Sequence, residues 1–180
     1  MTPRGDRSGA RVRVRPGGVQ TAVQVCRKET APRQTMMSSS AVDPAEEVQR
    51  IAAAMAADDH AVRAVGAVVT TIGQGHAVVE MVLERHHTNG HGSGHGGLIF
   101  FLADTAMAYA SIRPGSAAGV TTAADVIFSQ PAPLGTRLVA ESHCVHRQGR
   151  REVHDVRVTD GVGDVVALIR GQMVHRQSAP

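Results

Sequence analysis

The chain has 180 residues, 42% of them hydrophobic, 19% charged and 2% aromatic, with a formal net charge of +3. That is the length of one domain, with enough apolar content for a core and no apolar run long enough to span a bilayer. Residues 1–35 hold eight basic side chains and two acids, a balance of +6 that leaves −3 for the rest. A basic tail on a mildly acidic fold argues against a nucleic-acid-binding domain, whose basic patch would lie on the fold itself.

Residues 1–40 are rich in Gly, Pro, Arg, Ser and Thr, with apolar patterning only around Val19–Val25. Such a segment buries too little surface to offset its ordering entropy. It is expected to be disordered, or an upstream extension ending near Met36 and Met37. Its Arg-rich start lacks the apolar centre of a secretory signal, so a cytoplasmic location is expected. Two cysteines, Cys26 and Cys144, in unlike contexts exclude a disulfide framework and a cysteine zinc ribbon, and suit reduced thiols.

The folded domain is expected over residues 41–180. Asp43-Pro44-Ala45-Glu46 reads as an N-cap, a proline in the first turn and an acidic start. The amphipathic helix it opens runs through Val48, Ile51 and Met55 to about Ala57. Strands follow at Ala64–Thr71 and His76–Glu84, joined by a turn at Gly73-Gln74-Gly75.

Residues 85–97 are too glycine-rich for a regular element. After them, Leu98–Ser111 is apolar on every side and stops before Arg113-Pro114-Gly115, which predicts a buried helix. Four strands close the chain: Gly119–Ser129, Arg137–Arg147, Arg151–Thr159 and Val165–His175, with glycine turns between the later pairs. One all-apolar helix and a mostly antiparallel sheet give an α+β fold in which the sheet wraps the helix.

Asp104 stands alone as a carboxylate within that apolar helix. Burying it ionised costs several kcal/mol unless it is paired or solvated. It reads either as an Asp that reaches a cleft edge or binds a backbone donor, or as a general base or nucleophile at a subunit seam. His95-Gly96-Gly97 opens the same helix, where N–H groups lack intrahelical partners and the dipole adds positive charge. Glycine there admits a carbonyl close to those donors, as in an oxyanion hole.

Gly96 and Asp104 lie eight residues apart, or about 12 Å along a helix. A reacting carbonyl must sit about 3 Å from both its donor and its attacking group. A catalytic reading therefore requires a dimer, with donor and acid from different chains. The cluster His86, His87, His91 and His95 is not expected to be a physiological metal site, because no second ligand group with metal spacing accompanies it, and His86, His87 and His91 are expected to be solvated loop histidines.

The run Asn89-Gly90-His91-Gly92-Ser93-Gly94-His95-Gly96-Gly97, continuing through Leu98–Ala110, resembles the signature of hotdog-fold acyl-CoA thioesterases, most of all the phenylacetate-degradation (PaaI-type) branch. Asp125–Phe128, Val153–Val156 and Val166–Gly171 resemble it too, so the likeness covers about residues 44–176. It implies a hotdog fold, hydrolysis of a phenylacetyl-CoA-like or medium acyl-CoA in phenylacetate degradation, no cofactor, and a dimer or tetramer with sites at the seam. Asp104 would be nucleophile or general base. Gly96 would polarise the carbonyl, Asn89 would orient water or thioester, and His95 would help hold thioester and loop. Gly97 and the basic Arg113, Arg147, Arg150 and Arg151 would meet the substrate, the arginines at its phosphates. Gly94 departs from the family, which often has Cys there, and residues 1–40 have no counterpart. A non-catalytic acyl-CoA sensor of the same fold is the alternative, although no helix-turn-helix accompanies it. A hotdog dehydratase or hydratase needs a different acid–histidine pair.

Overall fold

The computed structural model describes residues 42–176, so the expectation for residues 1–40 lies outside the described residues. In chain order the elements are α1 (Pro44–Asp58), α2 (His60–Ala64), β1 (Val68–Gly73), β2 (His76–Val82) and a 3-10 turn (Arg85–His87). Then come α3 (Gly96–Ala110), β3 (Val120–Phe128), β4 (Arg137–Gln148), β5 (Arg151–Thr159) and β6 (Val165–Val174). Among the described residues no helix is long and apolar enough to cross a membrane.

Each boundary has a local cause. The Asp43 carboxylate accepts the Ala45 N–H at 2.9 Å, and Pro44 takes the first helical position of α1. Asp59 then caps α2 by accepting from the Val62 N–H at 3.0 Å. This second helix corrects the strand expected from Ala64: the chain stays helical to Ala64, turns at Gly66 with φ +63°, and becomes extended only at Val68. Five residues are too few to show a hydrophobic period. α3 starts two residues before the expected Leu98, because the His95 ring caps it and draws Gly96 and Gly97 into its first turn.

The six strands form one antiparallel sheet in the order β1-β2-β4-β5-β6-β3. Side chains alternate across it, so Leu138, Ala140 and Ser142 of β4 face inward while Glu141 and His143 face outward. α3 lies along the inner face and touches all six strands. Its Leu102, Ala103, Ala106 and Met107 are fully buried with Val79, Leu138, Val158 and Ala167. Gly171 of β6 lets the helix in: a Cβ there would stand 2.2 Å from the Met107 sulfur. α1 covers the far end of α3, with Val48 and Ala52 packed among Tyr109, Ala110 and Ile112. β1 and β3 are the sheet's edges, and β3 runs beside the helix that carries Asp104.

Candidate active site at the start of α3 and the β3 edge

The loop before α3 is built around Asn89. Its Oδ1 accepts from the N–H groups of His91 at 2.9 Å and Ser93 at 3.3 Å. Its Nδ2 donates to the Ser93 hydroxyl at 3.1 Å and the Gly94 carbonyl at 3.4 Å. One short side chain thus holds five residues in a closed turn. Gly94 is anchored by its N–H to the Ala132 carbonyl at 2.8 Å, and a Cβ there would stand 2.8 Å from Leu83 Cδ1. Glycine at this position lets the loop pack tightly on Leu83.

His95 caps α3: its Nδ1 accepts the Gly97 N–H at 3.0 Å, and its carbonyl accepts from Leu98 at 2.9 Å and Ile99 at 3.1 Å. Of the first helical N–H groups, this leaves Gly96's with no acceptor among the described residues. It is a donor at the positive end of a fifteen-residue helix. A cavity of about 400 Å³ lies against it, lined by Asn89, Ser93, Gly94, Ile99 and Phe128 among others. The tip of Phe128 would be 3.1 Å from a Cβ on Gly96, so a side chain there would press on Phe128 and narrow that approach.

Eight residues further on, Asp104 is half-buried, and its Oδ1 accepts a 2.6 Å hydrogen bond from the Thr121 hydroxyl. Oδ2 has no partner among the described residues. Thr121 is the residue that sequence reasoning missed. It opens β3 just before a bulge between Thr121 and Ala123, and the bulge leaves it facing the helix while Thr122 and Ala123 are exposed. A Thr-Thr pair at a strand start was its only trace in the sequence.

Asn89, Gly94, Gly96 and Ile99 therefore share one cavity, whereas Asp104 belongs to another position along the same helix, next to Thr121. His95 is exposed but spends Nδ1 on Gly97, whose N–H is thereby removed from the set of free donors. His87, expected to be a solvated loop histidine, is buried, and its Nδ1 accepts the Glu84 N–H at 3.0 Å. Its backbone carbonyl receives the His95 N–H at 2.9 Å, so it braces the helix start.

The arginines are placed differently. Arg113 follows the C-terminal end of α3, about 22 Å of helix away from Gly96. Arg147 donates to the fully buried Glu152 carboxylate at 2.8 Å, and Arg113 lies 3.5 Å from the same oxygen. His154 and His175 complete the cluster, each 3.0 Å from Glu152. Burial pushes the Glu152 carboxyl up, but the His154 hydrogen bond, Arg147 and His175 outweigh it and hold it at about 2. Arg150 donates to the His175 carbonyl at 3.3 Å, and Arg151 is exposed on the same hairpin.

Residues 91–167 match the thioesterase superfamily model. The chain is 37% identical to the acyl-coenzyme A thioesterase PaaI of Escherichia coli over 123 residues, covering 68% of this chain and 86% of that protein. The solved E. coli PaaI structure, from the phenylacetic acid degradation operon, superposes with a TM-score of 0.72 at 32% identity, covering 76% of this chain and 99% of that one. A Streptococcus mutans protein solved with acetyl-CoA gives a TM-score of 0.59 at 27% identity, covering 64% of this chain and 92% of that one. With a six-stranded antiparallel sheet wrapped on one apolar helix and that helix's first N–H left free beside a cavity, the chain belongs to the hotdog-fold thioesterase superfamily and is a thioesterase of the PaaI type.

Proposed function

We propose that this protein hydrolyses acyl-CoA thioesters to the free acid and coenzyme A, with aryl-acetyl groups of the phenylacetyl or hydroxyphenylacetyl kind as preferred substrates and phenylacetate degradation as the setting. The acyl-CoA assignment draws on the E. coli relative and on the acetyl-CoA bound to the S. mutans protein. The observation that carries the chemistry is the unpaired Gly96 N–H facing a cavity at a helix N-terminus.

The site is shared between two copies. β3 is an edge strand, with Phe128 near Gly96 at one end and Thr121 near Asp104 at the other. Antiparallel pairing of two β3 edges brings the Phe128 end of one chain to the Thr121 end of its partner. One chain's Gly96 then meets the other's Asp104, which no single α3 permits. Pairing the edges also covers the exposed Val120 and Ile127 and satisfies the open ladder.

In the reaction, the Gly96 N–H donates to the thioester carbonyl oxygen and stabilises the negative charge it gains. Asp104 takes a proton from a water molecule, whose oxygen adds to the carbonyl carbon. Thr121 holds Oδ1, leaving Oδ2 to receive that proton. Collapse of the tetrahedral intermediate breaks the C–S bond, and Asp104 returns the proton to the departing thiolate. The step consumes one water and uses only the chain's own groups. Asn89 acts by closing the loop that aims Gly96, and His95 by fixing the first turn of α3. With CoA thioesters as substrate, the enzyme works where they are made, in the cytoplasm.

The assay is release of free thiol from a panel of acyl-CoA substrates, phenylacetyl-CoA and hydroxyphenylacetyl-CoA included. Turnover highest on the aryl-acetyl members supports the reading. Tight binding without thiol release would instead make the protein an acyl-CoA sensor.

A further inference from the structure

The outer face of the sheet, turned away from α3, carries a cluster unrelated to the hydrolytic groups. His76 of β2 and His143 of β4 are direct cross-strand partners, and their rings stack with centroids 4.6 Å apart. Glu141 lies two residues from His143 on the same strand and therefore on the same face. Its Oε1 is 2.9 Å from His76 Nε2 and 3.3 Å from His143 Nε2. One ligand atom from each of the three residues lies within 4.8 Å of the others.

We propose that His76, Glu141 and His143 form a binding site for a divalent late transition-metal ion of the zinc class. Ligands bound at zinc distances of about 2.0–2.2 Å in a tetrahedron stand about 3.4 Å apart. The two nitrogen–oxygen separations are already close to that, so binding requires only small side-chain adjustments. Two imidazoles and one carboxylate select zinc, nickel or copper over magnesium and calcium, which prefer all-oxygen sites.

The proton balance is simple. The hydrogen bond to Glu141 places the His76 imidazole proton on Nε2, and binding moves it to Nδ1, freeing that Nε2 lone pair for the metal. Glu141 supplies a carboxylate oxygen that already faces both rings. The His76 and His143 side chains are respectively about one-third and more than half exposed, so water completes the coordination sphere.

Glu141 and His143 line a groove of about 430 Å³ that also holds Asp125, Asp155, Arg157 and Arg170. Arg170 is bound to Asp155 through two 2.6 Å hydrogen bonds, which leaves it tied to a carboxylate rather than facing the cluster. Apart from the ligand Glu141, the groove's two carboxylates balance its two guanidiniums.

The test is calorimetric titration of ZnCl2 into the chelator-treated full-length protein, beside the His76→Gln/His143→Gln double variant and His91→Gln in the glycine loop. Cobalt(II) absorption reports the coordination. The proposal predicts one equivalent of zinc, binding about tenfold or more weaker in the double variant, unchanged in His91→Gln, and a four-coordinate cobalt spectrum that the double variant lacks. The replaced side chains are on the surface, and a melting curve matching the parent without metal shows that the variant is folded. If zinc does not bind, or binds equally to the double variant, or is lost in His91→Gln, the assignment is overturned.

Discussion

Thr121 Oγ1 stands 2.6 Å from Asp104 Oδ1, joining the edge strand β3 to the middle of the buried helix. The hydroxyl donates, so it fixes which oxygen faces outward. Thr121→Val keeps the shape and removes the donor. Its kcat on an acyl-CoA is expected to fall roughly tenfold with little change in KM, through loss of orientation. A KM rise at unchanged kcat would mean that Thr121 contacts substrate instead.

Asp104→Asn removes the base and keeps the volume. Turnover should fall about a hundredfold or more, while Tm holds or rises because a half-buried charge is gone. Kinetics and melting are read on the same preparation. A well-folded Asp104→Asn enzyme with full activity would reduce this residue to a structural one.

Much of this was legible in the sequence, for identifiable reasons. α3 announced itself because fourteen consecutive residues after the glycines hold a single charge. The Asp43-Pro44 start of α1 and the glycine turns are local signals, and they fell where expected. What remained hidden is non-local. Glu152 draws in Arg113 and His175 from distant parts of the chain, and no spacing rule links these to it, whereas His154 shares its strand face and Arg147 is its hairpin partner. The Thr121 contact depends on a bulge that re-aims one side chain, and His87 is buried by the fold around a segment that looks solvent-exposed.

The Glu152 cluster gives a pH prediction. Its carboxyl is held at about 2 against 4.5 in an unfolded chain, so its stabilisation is present above 4.5 and lost as pH falls toward 2. The amount is of order 3 kcal/mol. Glu152→Gln should lower Tm at neutral pH by about 5–10 °C and flatten the acid limb of the stability curve. An unchanged acid limb would assign acid unfolding to other groups.

Tyr109 is fully buried, and its hydroxyl has no hydrogen-bond partner among the described residues. Burial pushes its phenol up, as does the Asp59 charge. Tyr109→Phe removes an unsatisfied donor without opening a cavity, so denaturant unfolding should show a gain of about 1 kcal/mol. A loss of stability would reveal a water bridging that oxygen.

The central claim is that Gly96 of one chain and Asp104 of another serve the same carbonyl. Gly96→Pro deletes the donor at the first helical position, where the backbone suits proline after a His95 already extended at ψ 125° and the ring displaces the tip of Phe128. Differently tagged Gly96→Pro and Asp104→Ala proteins, each inactive, are unfolded, refolded together and purified through both tags, and thiol release from phenylacetyl-CoA is measured. A shared site predicts that the heterodimer regains about half of the parent activity, because one of its two seams holds an intact Gly96 and an intact Asp104. Confirmed heterodimers that remain as inactive as either parent variant would contradict it.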